Sequence, residues 1–333
     1  MVVRHLKYTI KSFAPQNSAY INIAKDLSAI NRQLFRQARM YKVKSLTVID
    51  NDQEKFVQVG IAPDTWAMRN AVKRAFARWN DMNAQVLQEQ PSLKARWNDF
   101  KPYLSKRHYN AEKGTSGTIE TPEDMNANNL QYGEWKYSTF EAPPTAGASQ
   151  PDGYEVSVMG DHTGSSGNYT RVGLIQSYGD ARGTVGNQEP FVNTSKASDD
   201  PLVNLLDAGT QFDEIAENII NEGDQPPYAN GTAAGDLYVG ARTNMPEELM
   251  IAEFNSSSQT EGVQRIFGFN VPLGIIRLDH STVNPPSDGN NITVIVEVAE
   301  GSYKGVHSES LVDARSGTWA SPSKGGKTTK RIG

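Results

Sequence analysis

Short strand-like runs separated by long polar loops are the feature of this sequence that most limits its possible folds. From about residue 105 onward, apolar residues alternate with polar ones in several short runs. The runs are EWKYSTFE, YEVSVMG, RVGLIQSYG, LMIAEFN, QRIFGFNVPLGIIRL and ITVIVEVAEG. The loops between them are rich in Gly, Pro, Ser, Asn and Asp, which favour turns. Because no strand–helix–strand rhythm recurs, the pattern argues against a doubly wound α/β sheet.

The first sixty residues continue this β pattern. Alternating runs occur at residues 2–10, 19–23, 41–49 and 54–63. With the later runs they make about ten strands, against about three helices. Many strands joined by long loops are typical of sandwiches. The sequence therefore predicts a mainly β protein, a single jelly roll (an antiparallel β-sandwich) with long loops and a few inserted helices.

Three segments have the 3.6-residue spacing of amphipathic helices. The first covers residues 25–40, and the second covers residues 65–82, TWAMRNAVKRAFARWNDM, with Asp64 placed to cap it. The third lies near residues 210–223, TQFDEIAENIINEG. The apolar positions of the second helix form one arc, namely Met68, Val72, Ala75, Trp79 and Met82.

A shorter amphipathic turn or helix is predicted at residues 92–104, SLKARWNDFKPYL, through Leu93, Trp97 and Phe100. We expect one domain over residues 1–333, with a basic helical insertion at about 64–104. A loose, mildly basic tail is expected at about residues 320–333.

Charge is distributed unevenly along the chain. The whole chain has a net charge of -5, but residues 1–110 hold 19 Lys/Arg and 8 Asp/Glu, a balance of +11. The remaining residues hold 14 Lys/Arg and 30 Asp/Glu, a balance of −16. Such asymmetry between the two parts of a chain indicates a polyanionic or basic partner.

The basic segment supplies the candidate nucleic-acid-binding residues. On the predicted first helix, three arginines are spaced at i, i+4 and i+7 and would share a face. On the second helix, four cations lie outside the apolar arc, and two lysines lie on a neighbouring strand. The candidates are Arg32, Arg36, Arg39, Lys42, Lys44, Arg69, Lys73, Arg74 and Arg78. Such residues bind phosphates without reading bases; the alternative is that they form the solvated faces of ordinary helices.

Three tryptophans lie in the same region. Trp79 and Trp97 are on apolar stripes, so we expect both in the core. Trp66 lies off the arc of its helix and is the candidate platform for stacking an unpaired base.

Signals for catalysis, cofactors and membranes are weak. The chain has no cysteine, which excludes disulfides, thiolate metal ligands and cysteine nucleophiles. It has no phosphate-binding loop with Gly-Lys-Ser/Thr and no Gly-x-Ser-x-Gly elbow. We therefore expect no enzyme activity, cofactor or metal, and no membrane partner, because no apolar run approaches roughly 20 residues. The enzyme alternative is a metal-dependent hydrolase using His108, Asp161, His162 and His280.

Several segments, in order, resemble the capsid proteins of small circular single-stranded DNA viruses. These viruses are the environmental and marine group that encodes a rolling-circle replication initiator. The segments are GEWKYSTFEAP, MGDH, RVGLIQSYGDAR, DPLVNLLDAGTQFDEIAENIINEGDQPPY and GFNVPLGIIRL, preceded by APDTWAMRNAVKRAFARWNDM and KARWNDFKPYLSKRH. The resemblance covers residues from about 40 to 280 and is one of order and texture.

This resemblance implies a jelly-roll subunit that assembles with copies of itself into an icosahedral shell around single-stranded DNA. The protein would then be part of the virion, with an unknown host receptor as a further partner. Related capsid proteins commonly begin with an Arg-rich arm, whereas this chain begins in a predicted strand. We therefore expect the folded domain to neutralise most of the DNA, with the basic tail as a second possibility: Lys324, Lys327, Lys330 and Arg331.

A different class of function fits the same strand pattern. A β-sandwich attachment protein could use its long loops to recognise a glycan or a receptor. It would form a small symmetric oligomer without nucleic acid. Particle size and nucleic-acid content distinguish the two hypotheses.

Overall fold

Two antiparallel β-sheets packed face to face form the centre of the molecule. The computed structural model describes residues 2–11, 18–50, 55–92, 97–142, 152–165, 168–186, 238–241, 249–255, 262–282 and 291–312. The strands are β1 (His5–Lys11), β2 (Ser18–Asn22), β3 (Arg39–Asp50), β4 (Lys55–Ile61), β5 (Thr118–Ile119), β6 (Thr139–Ala142), β7 (Asp152–Ser157), β8 (Thr163–Ser165), β9 (Asn168–Gly173), β10 (Leu249–Asn255), β11 (Val263–Pro272), β12 (Ile275–Thr282), β13 (Asn291–Val298) and β14 (Ser308–Ser310). The helices are α1 (Ile23–Asn31), α2 (Trp66–Glu89), α3 (Lys106–Glu112) and α4 (Leu174–Gly186). The protein is therefore mainly β, as predicted.

Each of the two sheets contains four long strands. In sheet A the order is β1–β13–β3–β11, and β14 pairs with the first residues of β3. In sheet B the order is β10–β4–β12–β2, and β5 adds a short strand beside β2. All pairs of long strands are antiparallel, and within sheets A and B the short β5 pairs in parallel with β2.

Alternate residues of the long strands fill the space between the sheets. On β13, Ile292, Val294, Val296 and Val298 are buried while the residues between them are partly exposed. Sheet B supplies the facing residues, among them Ile21, Val57, Val59, Ile276 and Leu278. Full burial of a side chain of this size contributes about 2 kcal/mol. An exposed ion pair contributes about 0.5 kcal/mol, so the apolar alternation is the stronger determinant of the sandwich.

A long insertion, residues 62–248, separates β4 from β10. It contains α2, α3, α4 and a small third sheet with the order β6–β7–β9–β8. Its buried residues form a second core in which Met68 and Val72 of α2 join Ile175 of α4. Tyr20 and Ile275 of sheet B belong to the same core, which fixes the insertion to the sandwich.

Helix α2 confirms the predicted helix and continues it to Glu89. The predicted cap is wrong: Thr65 caps the helix, because its Oγ1 accepts a hydrogen bond from Met68 N at 3.2 Å. Asp64 binds Arg69 instead. Met68 is buried at the contact with the second core, as the predicted apolar arc requires.

The helix predicted over residues 25–40 is wrong beyond Asn31. Arg32 has a φ of 52° and ends α1 in the left-handed conformation. Just after it, Phe35 N donates a hydrogen bond to Ser28 Oγ at 2.8 Å, which turns the chain back toward the helix. The Asn31 side chain exchanges two hydrogen bonds with the backbone of Val3, at 2.8 Å and 3.0 Å. The helix therefore ends at Asn31 although the apolar spacing predicts a longer one, because these contacts stabilise a different path of the chain.

Two other predictions also differ from the structure. The run RVGLIQSYG is not one strand, because β9 ends at Gly173 and α4 begins at Leu174. A Cβ at Gly173 would lie 2.1 Å from the carbonyl oxygen of Gly160, so only glycine fits this junction. No helix forms at residues 97–104, although Phe100 is buried as predicted. The helix predicted at residues 210–223 lies outside the described residues.

A buried carboxyl group lies beneath α1. Asp26 is 1% exposed and accepts a hydrogen bond from the Tyr8 hydroxyl at 2.6 Å. Burial raises the pKa of Asp26 from 3.8 to about 7, although the Tyr8 hydrogen bond and the Lys25 charge oppose the shift. The native state therefore holds a proton that the unfolded chain releases, and stability decreases as the pH rises from about 4 to about 7.

We predict that Asp26→Asn removes the decrease in stability that wild type shows as the pH rises from about 4 to about 7. His108 acts in the opposite direction, because burial lowers its pKa from 6.5 to about 3, so its contribution is lost as the pH falls. Both proteins contain His108, so the difference in their free energies of unfolding reports the titration of Asp26 alone. Urea denaturation at several pH values should show that the free energy of unfolding of wild type, minus that of Asp26→Asn, falls by up to about 1.4 kcal/mol per pH unit.

Tyr8→Phe provides the matched control. It removes the hydrogen bond that lowers the pKa of Asp26, so the decline in stability should extend to a pH above 7. Parallel stability curves for wild type and Asp26→Asn would contradict the assignment.

Candidate functional site

The structure divides the nine predicted nucleic-acid-binding residues among three places. Arg32, Arg36 and Arg39 lie in the connection from α1 to β3, and Lys42 and Lys44 lie on β3. Arg69, Lys73, Arg74 and Arg78 lie on α2.

Arg32, Arg36 and Arg39 do not share a helix face, because α1 ends before them. Arg32 and Arg36 are exposed in the connection, and Arg39 is the first residue of β3. The Arg39 guanidinium lies 3.7 Å from the centroid of the Tyr303 ring and donates two hydrogen bonds to Ser308. Arg39 therefore holds β14 against β3, whereas Arg32 and Arg36 present their charges to solvent.

Lys42 and Lys44 are exposed at alternate positions of β3, on its outer side. The Lys44 ammonium lies 2.7 Å from a carboxylate oxygen of Glu297 on the neighbouring strand. That interaction lowers the pKa of Glu297 below its usual range. Lys44 is thus already paired across the sheet.

The four cations of α2 differ in their surroundings. Arg69 donates two hydrogen bonds to the carboxylate of Asp64, at 2.6 Å and 2.9 Å. Lys73 is half-buried, and Arg74 and Arg78 are exposed. Arg74 and Arg78 are therefore the members of this group best placed to contact a polyanion.

A cleft that sequence reasoning missed opens next to Arg32. It is formed by residues 25–34, residues 97–101 and residues 132–135, and its volume is about 280 Å³. We call it the aromatic cleft, because Trp97, Tyr132 and Trp135 line it. Trp97 was predicted to be in the core, but it is 70% exposed, and Tyr132 is 43% exposed. Both rings offer a face to a ligand.

Three cations line the aromatic cleft: Lys25, Arg32 and Lys101. Lys25 is 1% exposed, and its ammonium lies 3.6 Å from the centroid of the Tyr132 ring. Among the described residues this ammonium has no hydrogen-bond partner. Lys101 lies 4.7 Å from the Trp135 ring centroid, and burial lowers the pKa of Lys101. The cleft combines positive charge with aromatic surface.

The carboxylates near the cleft have partners of their own. Asp99 accepts a hydrogen bond from Gln37 N at 3.1 Å and lies close enough to Arg36 and Lys101 for their charges to lower its pKa against the rise caused by burial. Glu134 also lines the cleft, and one of its carboxylate oxygens lies 2.8 Å from the ammonium of Lys136. Three cations, Lys25, Arg32 and Lys101, therefore outnumber the one carboxylate among the lining residues.

Trp66, the predicted stacking platform, also has packing contacts. Its ring meets Tyr178 and Tyr238 edge to face, with centroids 5.7 Å away in both pairs. It therefore connects α2 to α4 and to residues 238–241, while 39% of it is exposed. Its role in stacking a base stays a prediction.

Of the residues of the hydrolase alternative, the structure describes the side chains of His108, Asp161 and His162, and they form no metal-binding group. His108 is buried, and its Nδ1 accepts a hydrogen bond from Leu104 N at 3.0 Å. His162 Nδ1 accepts one from Gly173 N at 3.1 Å. Within the described ranges, no group of three or more His, Asp and Glu side chains is arranged to hold a metal ion.

Comparison of the chain with models of known protein families, with curated proteins and with solved structures finds no match in any of the three. No helix in the described part of the chain is both long and apolar enough to cross a bilayer.

We predict that Arg69 stabilises the fold, unlike its exposed neighbour Arg74. Arg69→Ala removes two charge-assisted hydrogen bonds to Asp64 and should lower the free energy of unfolding by about 1 kcal/mol. Arg74→Ala is the matched control on the same helix and should change it by less than about 0.5 kcal/mol. Urea denaturation of both variants measures the difference, and equal losses would show that the Asp64 pairing contributes nothing.

Proposed function

We propose that this protein is a viral capsid subunit whose fold is a jelly roll and whose copies assemble into an icosahedral shell around single-stranded DNA. The observation that carries the proposal is the order of the eight long strands. The resemblance of the sequence to capsid proteins of small circular single-stranded DNA viruses supports it independently.

The strand order supports the jelly roll in detail. Numbered one to eight along the chain, the long strands are β1, β2, β3, β4, β10, β11, β12 and β13. One sheet then has the order 1-8-3-6 and the other 5-4-7-2. Consecutive strands alternate between the two sheets, except the fourth and fifth, which pair with each other. This order is the one expected of an eight-stranded jelly roll and supports that proposal. Viral capsid domains are one of the main classes that use it.

The insertion and the exposed apolar residues support self-assembly. Residues 62–248 emerge between the fourth and fifth long strands, and long insertions of this kind commonly supply contact surfaces. On the outer side of sheet A, Val263 is 53% exposed and Phe267 is 70% exposed. Apolar residues left in solvent on one face are suited to contact with another protein surface. We infer that copies of this chain supply that surface.

The basic residues support contact with packaged DNA. Six of the predicted residues, Arg32, Arg36, Lys42, Lys44, Arg74 and Arg78, are exposed, and of these Lys44 is paired with Glu297. Each of the others can neutralise a phosphate and release a counterion, which needs no particular base sequence. A shell protein must bind all parts of its genome regardless of base sequence, and contacts to phosphates have this property.

A second candidate is an attachment protein that binds a glycan or receptor. Lectin domains also use the jelly roll, and an open cleft with exposed aromatic rings is present. This candidate requires a small oligomer without nucleic acid. Its ligand would occupy the aromatic cleft or the loops.

We predict that the purified full-length protein elutes as megadalton particles with an absorbance ratio, 260 nm to 280 nm, that indicates nucleic acid. Negative-stain microscopy should show closed shells, and digestion with a single-strand-specific DNase after disassembly should identify the nucleic acid. A trimer-sized species without nucleic acid would overturn the capsid proposal and favour the attachment protein.

We predict that the double reversal Arg74→Glu and Arg78→Glu lowers the DNA content of the particles, because both side chains are exposed and repulsion replaces attraction. The matched control is the double reversal Lys106→Glu and Arg107→Glu, which alters two exposed cations of α3 by the same total charge. Phosphate analysis of purified particles measures the DNA. Equal content in the two double variants would contradict a specific role for α2.

A further inference from the structure

We propose that the aromatic cleft binds one unpaired nucleotide of single-stranded DNA, with the base stacked on Trp97 and the phosphate held by Arg32 in the field of Lys25. This inference rests on the proposed function, since it names a site at which the packaged DNA would be bound. It requires no base-specific contact.

The buried ammonium of Lys25 is the first reason. A charged group removed from water is costly unless hydrogen bonds or an opposite charge compensate it. The neighbouring Asp26 is close enough for the Lys25 charge to lower its pKa, but burial raises the pKa of Asp26 to about 7, so this carboxyl is only partly ionised at neutral pH. The Asp26 carboxyl accepts the hydrogen bond of Tyr8, and the direct contact that Lys25 makes is with the π face of Tyr132. In the described part of the chain no acceptor reaches its Nζ. An anion in the cleft would supply the missing negative charge at short range, where a low dielectric strengthens the attraction.

The position of Arg32 is the second reason. It ends α1 in the left-handed conformation, which directs the chain around the rim of the cleft. Its side chain is exposed, and its guanidinium can donate two parallel hydrogen bonds to a phosphate. Arg36, four residues after Arg32, is also exposed. It offers a contact for a further phosphate of a bound strand.

The lining of the cleft favours a base over a sugar. Exposed Trp97 and Tyr132 present flat π faces, and stacking on such faces accepts every base. A glycan is bound through several directed hydrogen bonds. Ser28 cannot supply one freely, because its hydroxyl donates to Ala24 O at 2.6 Å and accepts from Phe35 N. The other neutral hydrogen-bonding groups of the lining are the Gln33 amide, the Tyr132 hydroxyl and the indole N–H groups of Trp97 and Trp135. The three cations of the cleft supply the charge that a phosphate requires and a neutral glycan does not.

The size of the cleft limits the occupant to a single unit. Its volume of about 280 Å³ is near the lower end of small-ligand pockets. One base with its phosphate fits this space, whereas the rest of a strand must follow the exposed cations outside.

The test measures binding of oligothymidylate to purified full-length protein by fluorescence anisotropy at several salt concentrations. Trp97→Ala should weaken binding about tenfold through loss of stacking. Arg32→Gln should weaken binding and lower the slope of log affinity against log salt by about one phosphate contact. Arg107→Gln, an exposed cation outside the cleft, is the matched control for charge and should retain more of the wild-type affinity than Arg32→Gln.

Lys25→Met separates binding from folding. Methionine keeps an unbranched side chain of similar length and removes the buried charge. We expect the thermal midpoint of unfolding to stay the same or rise while affinity for oligothymidylate falls. A structural role alone would lower the thermal midpoint and leave affinity unchanged in the folded protein, and that result would overturn the proposal.

The outcomes distinguish this inference from the proposed function. If particles assemble but Trp97→Ala and Arg32→Gln bind oligothymidylate like wild type, the cleft proposal is wrong and the shell proposal stands. If no particles form but the cleft variants lose DNA binding, the shell proposal is wrong and the cleft proposal stands. A second titration with a sulfated oligosaccharide covers the other ligand class: loss of that binding alone in the cleft variants would identify a glycan site instead.

Discussion

The structure depends on the burial of alternating apolar side chains between two sheets. The eight long strands come from both ends of the chain, and β1 pairs with β13 near the other end. These two distant strands remain together because β1 buries three apolar side chains in the core and β13 buries four, at about 2 kcal/mol apiece. Closing this core brings the two ends of the insertion, at β4 and β10, side by side in sheet B. The insertion can therefore be long without disturbing the sandwich.

The same core creates a buried polar layer under α1. Lys25 and Asp26 follow Ile23 and Ala24 into the interior, because the short helix packs against β2 and β12 of sheet B. The Asp26 carboxyl accepts a hydrogen bond from Tyr8, whereas the direct contact of the Lys25 ammonium is with the face of Tyr132. A buried charge without a hydrogen bond costs free energy, so the stability of the fold does not account for a lysine at this point. Binding of an anion in the cleft would account for it.

Strands and α2 could be predicted from the sequence because their signal is local. The alternation in residues 41–49 and 54–63, and the arc on residues 65–82, agree with what packing requires. The end of α1 could not be predicted, because it depends on Ser28 meeting Phe35 and Asn31 meeting the distant Val3. The aromatic cleft could not be predicted either. It joins residues 25–34, 97–101 and 132–135, which are far apart in the sequence. The apolar stripe that placed Trp97 in the core belongs to no helix.

The nine cations show why a basic stretch of sequence is not the same as a basic surface. Arg39, Lys44 and Arg69 are engaged with Ser308, Glu297 and Asp64, so they hold the chain together. A cation already paired with a carboxylate has few counterions to release when DNA approaches. In the proposed complex with DNA, the binding free energy would therefore come from the exposed arginines, from Lys42 and from the charge around the cleft. That set leaves out three of the nine predicted cations, so we expect the salt dependence of DNA binding to correspond to fewer than nine phosphate contacts per subunit.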